Sequence, residues 1–262
     1  MQAGRRFFKV ASWNVNSIRA RRSAVAQWLE KEAPDVLCLQ ETKAADDDFP
    51  ERAFGEMDYI CEFSGEKSYN GVAILSRFPV KGVKKGFEDG GDPARIITAT
   101  INGIPVVNTY VPQGFHPMSE KFRYKLDWFE RLYEYFDRNF NPAKPLLWVG
   151  DFNVAPEEKD VHDPKHLFGQ VGFHPDELAA LERFKDWGFI DVFRLHDTGG
   201  GKYTFWDYRA RNAVKRGIGW RVDHIWATRP LVEKSKRAWI DIGPRLQEKP
   251  SDHAPVVAEF RI

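Results

Sequence analysis

Residues 145–156 read PLLWVGDFNVAP, an apolar run that halts at Gly150 and then presents Asp151 and Asn153. A buried strand explains the run but not its ending, because a core does not welcome an unpaired carboxylate. The same habit recurs along the chain. FFKVASWNV ends in Asn14-Val15 and is followed by Asn16, DVLCLQ runs into Glu41 and Thr42, and RVDHIWAT carries Asp223 between Val222 and His224. In an α/β sheet, ligand crevices open at strand ends, where loops diverge. The pattern therefore predicts an α/β fold whose polar strand ends meet at one opening. Asp151 and Asn153, two apart, are expected on one face of an extended backbone. Taken alone they equally suit a turn before Pro156.

Working outward, GVAILS, RIITATI, IPVVNTYV and APVVAEFRI read as further strands. RIITATINGIPVVNTYV is a hairpin turned at Asn102-Gly103, so the sheets should be mixed rather than purely parallel. In KFRYKLDWFERLYEYFDRNF, Phe122, Leu126, Phe129, Leu132, Tyr133 and Phe136 recur every three or four residues and predict one core-facing helix stripe. PDELAALERF opens a second helix that Gly188 stops, and Ser17–Glu32 a third. No linker divides the chain, which predicts a single domain over 1–262.

At 262 residues with 42% hydrophobic content, the chain can bury a substantial core. Lys and Arg total 39 against 38 acids, so a phosphate-bearing partner must be met by a local basic surface. Cys38 and Cys61 have no metal-ligand spacing and read as reduced thiols of a cytoplasmic protein. RRFFK at 5–9 looks superficially like a twin-arginine export signal, but ASWNVNSIRARR follows in place of an apolar core. No run approaches the roughly 18 apolar residues of a membrane span, and no membrane partner is expected.

Glu41, with Asn14 and Asp252, would supply only oxygen ligands, the hard set that suits Mg²⁺ or Mn²⁺. KPSDHAPVVAEF places Asp252 and His253 together at a strand edge. A buried Asp223 facing His253 would fix its tautomer and favour its protonated form, and a cationic imidazole beside a phosphate would offset developing charge. His224 falls on the opposite face by strand alternation. The three histidines of VHDPKHLFGQVGFHP read as loop residues rather than a zinc site.

SWNVNSIR, LQETK, YVPQG, GDFNVAP, YTFWDYR, GWRVDHI and SDHAPV occur in that order across nearly the whole chain. The series resembles the exonuclease III and abasic-site (AP) endonuclease family of metal-dependent phosphodiesterases. That resemblance implies a DNase I-like four-layer α/β sandwich, two mixed sheets face to face with helices outside. It also implies roles. Glu41 resembles the principal metal ligand, with Asn14 and Asp252 nearby and Asp151, Asn153 and His253 adjoining the same Mg²⁺, for which Mn²⁺ can substitute. Asp151 resembles the residue that orients or deprotonates the attacking water. Asn153 would position it, Tyr110 would contact the scissile phosphate, and Asp223 would orient His253. The implied reactions are cleavage of duplex DNA 5′ of an abasic site to leave a 3′ hydroxyl, removal of 3′ phosphates and 3′ sugar fragments, and 3′→5′ exonuclease action, by a monomer.

The segment YTFWDYRARNAVKRGIGWR carries substrate choice, interleaving Phe205, Trp206 and Trp220 with Arg209, Arg211, Lys215, Arg216 and Arg221. By resemblance Phe205 and Trp220 wall a pocket for a base-free deoxyribose, and Arg209, Arg221 and Gln113 are expected at DNA. Asn16 stands where some relatives carry an aspartate, which implies altered metal binding. FHPMSEKFRY after YVPQG lacks the wedge arginine of some relatives. Two alternatives remain: an enzyme of the same fold acting on lipid or soluble phosphates, and an inactive DNA-binding relative.

Overall fold

A computed structural model describes residues 7–262; the arginine pair of RRFFK lies outside the described residues. The strands, in chain order, are β1 (Phe8–Asn14), β2 (Val36–Gln40), β3 (Ile60–Glu66), β4 (Tyr69–Ser76), β5 (Val80–Lys85), β6 (Ile96–Ile101), β7 (Ile104–Tyr110), β8 (Leu147–Asp151), β9 (Phe189–Asp191), β10 (Asp223–Thr228), β11 (Ser235–Ile240) and β12 (Val256–Phe260). They form two six-stranded sheets, ordered β3-β4-β2-β1-β12-β11 and β5-β6-β7-β8-β10-β9. Each sheet is mixed. β1 runs parallel to β2, and β7 to β8; every other pairing is antiparallel.

The two sheets thus repeat one pattern of directions, and their parallel pairs occupy matching central positions. Val10, Val36, Cys38 and Ile74 of the first sheet meet Ala99, Val106, Val149 and Ile225 of the second in a fully buried layer. The outer face of the first sheet is covered by the Ile18–Glu32 helix through Val25, Trp28 and Leu29. The outer face of the second is covered by the helices Glu120–Asn139 and Pro175–Trp187. This is the expected four-layer sandwich. Among the described residues no helix is long and apolar enough to cross a membrane.

Local chemistry explains the elements. Ser17 caps its helix by accepting from the Ala20 N–H. Asn102 and Gly103 both take positive φ, 51° and 77°, the backbone of a two-residue hairpin turn. In the Glu120–Asn139 helix, Phe122, Phe129, Leu132 and Phe136 are buried as the stripe requires, but Leu126 and Tyr133 are half-buried, while Lys125 and Trp128 are fully enclosed. Gly150 is forced by close approach: a Cβ there would stand 1.9 Å from the Thr109 carbonyl oxygen.

Candidate active site

The polar strand ends converge at one edge of the sandwich. From the first sheet come Asn14 at the end of β1, Glu41 just after β2, and Asp252 and His253 ahead of β12. The second supplies Tyr110 at the end of β7, Asp151 at the end of β8 and Asp223 at the start of β10. The parallel pair of each sheet points its C-terminal ends at the opening, and the antiparallel neighbour enters the sheet from the same side. That placement lets residues from nearly every part of the chain share one notch.

Hydrogen bonds fix the arrangement across the two sheets. The Asn14 amide donates to Glu41 Oε1 at 2.8 Å and to Asp151 Oδ2 at 2.9 Å, so one side chain holds two carboxylates together. Asn16 donates to Asp252 Oδ1 at 2.9 Å. Asp223 Oδ2 lies 2.7 Å from His253 Nδ1, and His253 Nε2 lies 3.9 Å from Asp151 Oδ2. Glu41, Asp151 and His253 bring ligand-capable atoms within 4.8 Å of one another. Asp252 stands behind Asn16 and outside that tight group, a looser placement than the sequence implied.

Asn153 reaches the notch by a route other than strand alternation. Its φ is 52°, and its backbone N–H donates to Asp151 Oδ1 at 2.9 Å, a side-chain-closed turn. The turn reading of GDFN holds, the turn leaves Asn153 on the cavity wall beside Asp151, and the expected extended backbone is not present. Asn16 repeats the geometry: φ 45°, with its N–H donating to Asn14 Oδ1 at 3.0 Å.

Burial and the charges beside each group together set the charge states. His253 loses solvation in the interior, which opposes its charge, yet the adjoining Asp223 carboxylate more than offsets this and holds its pKa well above the ordinary value. Asp151 is raised by burial first and then by the nearby Asp223. Burial also works against the Glu41 carboxylate, but the Lys43 ammonium, 2.8 Å away, lowers its pKa overall. Tyr110, desolvated and facing Glu41 and Asp151, is raised and stays a neutral O–H.

Beside this group lies a cavity of about 220 Å³ lined by Gln113, Asn153, Gly172, Phe205, Trp220, Val222 and His253, among others. Phe205 and Trp220 are bridged through their backbones, and the Phe205 ring sits 4.8 Å from the His253 ring. Gly172, at φ 89°, keeps the wall thin: a Cβ would lie 3.3 Å from the Trp220 ring. Trp206 and Tyr203 are buried in a small core outside the cavity.

Arg221 does not belong to any DNA-facing surface. Its side chain is fully buried, with Nε 2.6 Å from Asp160 Oδ1, Nη2 2.8 Å from Asp191 Oδ2 and Nη1 3.0 Å from His224 Nδ1. A guanidinium so enclosed cannot reach a phosphate, and the expectation is corrected accordingly. Arg209 is exposed but doubly bonded to Asp207, another residue of the cavity wall. Gln113 is exposed at the rim. His224 faces away from the notch, bonded to the Val154 carbonyl, as alternation required. His162, His166 and His174 bond to Gly219, Asp163 and the Asp176 N–H, and none joins a metal-capable group among the described residues.

Several participants went unread in the sequence, among them Asp207 and Val171 of the cavity wall. Lys43 contacts Glu41 and also donates to Asn16 Oδ1 at 2.6 Å; its place two residues after Glu41 in LQETK was the available signal. Gly172 and Val222 line the cavity without any local pattern to announce them.

The endonuclease/exonuclease/phosphatase family profile matches residues 11–253. An exodeoxyribonuclease III from Haemophilus influenzae is 34% identical, over 97% of this chain and 100% of its own. Among solved structures, an AP endonuclease from Archaeoglobus fulgidus superposes with a TM-score of 0.95 at 47% identity, covering 97% of this chain and 100% of that one. A 3′ phosphatase from Neisseria, bound to a product DNA hairpin, gives 0.92 at 37% identity, covering 97% and 99%.

Proposed function

The chain belongs to the endonuclease/exonuclease/phosphatase family, and from that premise we propose that it is a DNA-repair phosphodiesterase that incises duplexes 5′ of abasic sites and clears blocked 3′ ends. The observation that carries this reading is adjacency. A cavity walled by Phe205, Trp220 and Val222 shares His253 with the Glu41–Asp151–His253 group and reaches Asp151 through Asn153, whose N–H that carboxylate accepts. A base-free sugar entering that cavity sets its phosphate against the charged group, whereas a base-bearing nucleotide needs far more room.

The donor set fits a hard divalent cation. Glu41 and Asp151 offer carboxylate oxygens, and Glu41 already draws an ammonium to 2.8 Å, so positive charge is stabilised at that point. Glu41 would hold the metal, with Asp252 and Asn14 close by, and Mg²⁺ with Mn²⁺ as substitute is our choice. When bound, the ion neutralises phosphate charge and stabilises the leaving 3′ oxygen.

The protein's own groups divide the remaining work. Asp151, raised by burial and held by donors from Asn14 and Asn153, accepts the proton of the attacking water. His253, kept cationic by Asp223, directs its Nε2 proton at a phosphate oxygen. A proton on Nε2 makes it a donor rather than a metal ligand. Tyr110 offers a second donor, a neutral one. Asn153, tied to the Val111 carbonyl at 2.9 Å, holds the water and phosphate in register. Arg211, Lys215 and Arg216 are exposed in the same segment as Phe205 and Trp220 and are available to neighbouring phosphates, which favours DNA over a lipid or soluble ester. In this reading the enzyme acts as a single domain and a monomer.

Purified protein should be incubated with duplexes carrying an internal abasic analogue, a 3′ phosphate or a plain recessed 3′ end, with Mg²⁺ or with EDTA. Incision 5′ of the analogue and release of the 3′ phosphate are expected with Mg²⁺, with neither in EDTA and both restored by excess Mn²⁺. Binding without turnover in every duplex would replace this reading with an inactive DNA-binding role.

A further inference from the structure

Behind the cavity lies a charged pair that the proposed chemistry leaves unused. Lys125 projects from the Glu120–Asn139 helix and Glu177 from the first turn of Pro175–Trp187. Both side chains are fully enclosed, and Lys125 Nζ lies 2.5 Å from Glu177 Oε1. The same ammonium donates to two backbone carbonyls, Asn153 at 2.8 Å and Gln113 at 3.3 Å. Glu177 Oε2 in turn accepts the backbone N–H groups of Gly172 at 2.8 Å and His174 at 3.0 Å.

Those contacts reach the cavity from three sides. Gln113, Asn153 and Gly172 all line it, and they belong to three different loops. The space between is closed: a Cβ on Gly114 would lie 3.2 Å from both Lys125 Cδ and Val171 Cγ1. Burying two charges is a poor way to gain stability, since apolar side chains of similar volume commonly do as well. What apolar side chains cannot do is hold two carbonyls and two N–H groups in fixed directions, as charge-assisted hydrogen bonds can.

We propose that the Lys125–Glu177 pair is a positioning unit that fixes the wall of the sugar cavity relative to Asn153 and so sets the preference for abasic nucleotides. The proposal rests on the abasic-site reading of that cavity. A terminal 3′ phosphate has no sugar beyond the bond to be broken, so its hydrolysis needs the catalytic group but not the cavity wall. The ratio of abasic incision to 3′-phosphate release therefore isolates the wall. Simple destabilisation lowers both rates by the folded fraction and leaves the ratio unchanged.

The test compares Lys125→Met/Glu177→Gln with the parent on the two duplexes in Mg²⁺. Glutamine keeps an acceptor for Gly172 and His174, while methionine removes the donors to Asn153 and Gln113. Any loss through Asn153 falls on both reactions and cancels, so the ratio should fall about tenfold or more only because a displaced wall no longer seats the sugar against the scissile bond on the abasic duplex. If the double variant yields no folded protein, Glu177→Gln alone is judged by the same ratio. A ratio within about twofold of the parent's in the folded variant overturns the proposal. A parent that leaves either duplex intact instead overturns the reading of the site, and this inference with it.

Discussion

Replacing Asp151 by asparagine should lower kcat for abasic incision by about 10³-fold or more, within the range that loss of a positioned general base produces. The amide preserves volume and can still accept from the Asn153 N–H, so the turn that places Asn153 is retained. The proton acceptor is lost. Duplex binding, measured by anisotropy in Ca²⁺ or EDTA, should stay near the parent's, because Asp151 is buried and offers the DNA backbone no positive charge. A variant retaining more than about a tenth of the parent rate would remove Asp151 from the proton-transfer role.

Arg221→Met should cost about 3–5 kcal/mol of folding stability, the usual consequence of breaking a buried ion pair from one side. Asp160 keeps Arg194, but Asp191 loses the guanidinium held at 2.8 Å, and both acids sit in or near the interior. Urea titration measures the loss. The salt dependence of duplex binding should keep its slope under conditions where the variant is folded, since no phosphate contact has been deleted. A residue that did touch DNA would reduce the slope by about one, and that result would return Arg221 to the interface.

The misreading of Arg221 shows where sequence stops. Next to Trp220 and within a run of basic residues, it has the local appearance of a phosphate contact; its partners Asp160 and Asp191 are remote in sequence, and only the fold brings them together. Lys125 is the opposite case. It stands three residues after Phe122 and four before Phe129, on the very stripe read as buried, so a charged residue was visible at a core position. Its partner Glu177 was not.

Strand recognition failed in a physically uniform way. The strands that sequence patterning missed are β3, β5, β9 and β11, and these are the four edges of the two sheets. An edge strand has one neighbour and less apolar cover, and charged residues there discourage pairing with other chains. VKGVKK in β5 and SKRAWI in β11 fit that description, and β9 has only three residues. Interior strands were legible because burial demands an apolar run, and the polar group at the notch was legible because four of those runs border carboxylates and amides that burial disfavours.

The repeated pairing of the two sheets has one more consequence. Asn14-Val15-Asn16 and Asp151-Phe152-Asn153 close the same kind of turn at equivalent positions, but one half brings Glu41 and His253 while the other brings Asp151 and Asp223. Neither half owns a complete set of tools. Under the proposed assignment, cutting would therefore require both faces to be docked, since the carboxylates and the imidazole come together only across the sandwich.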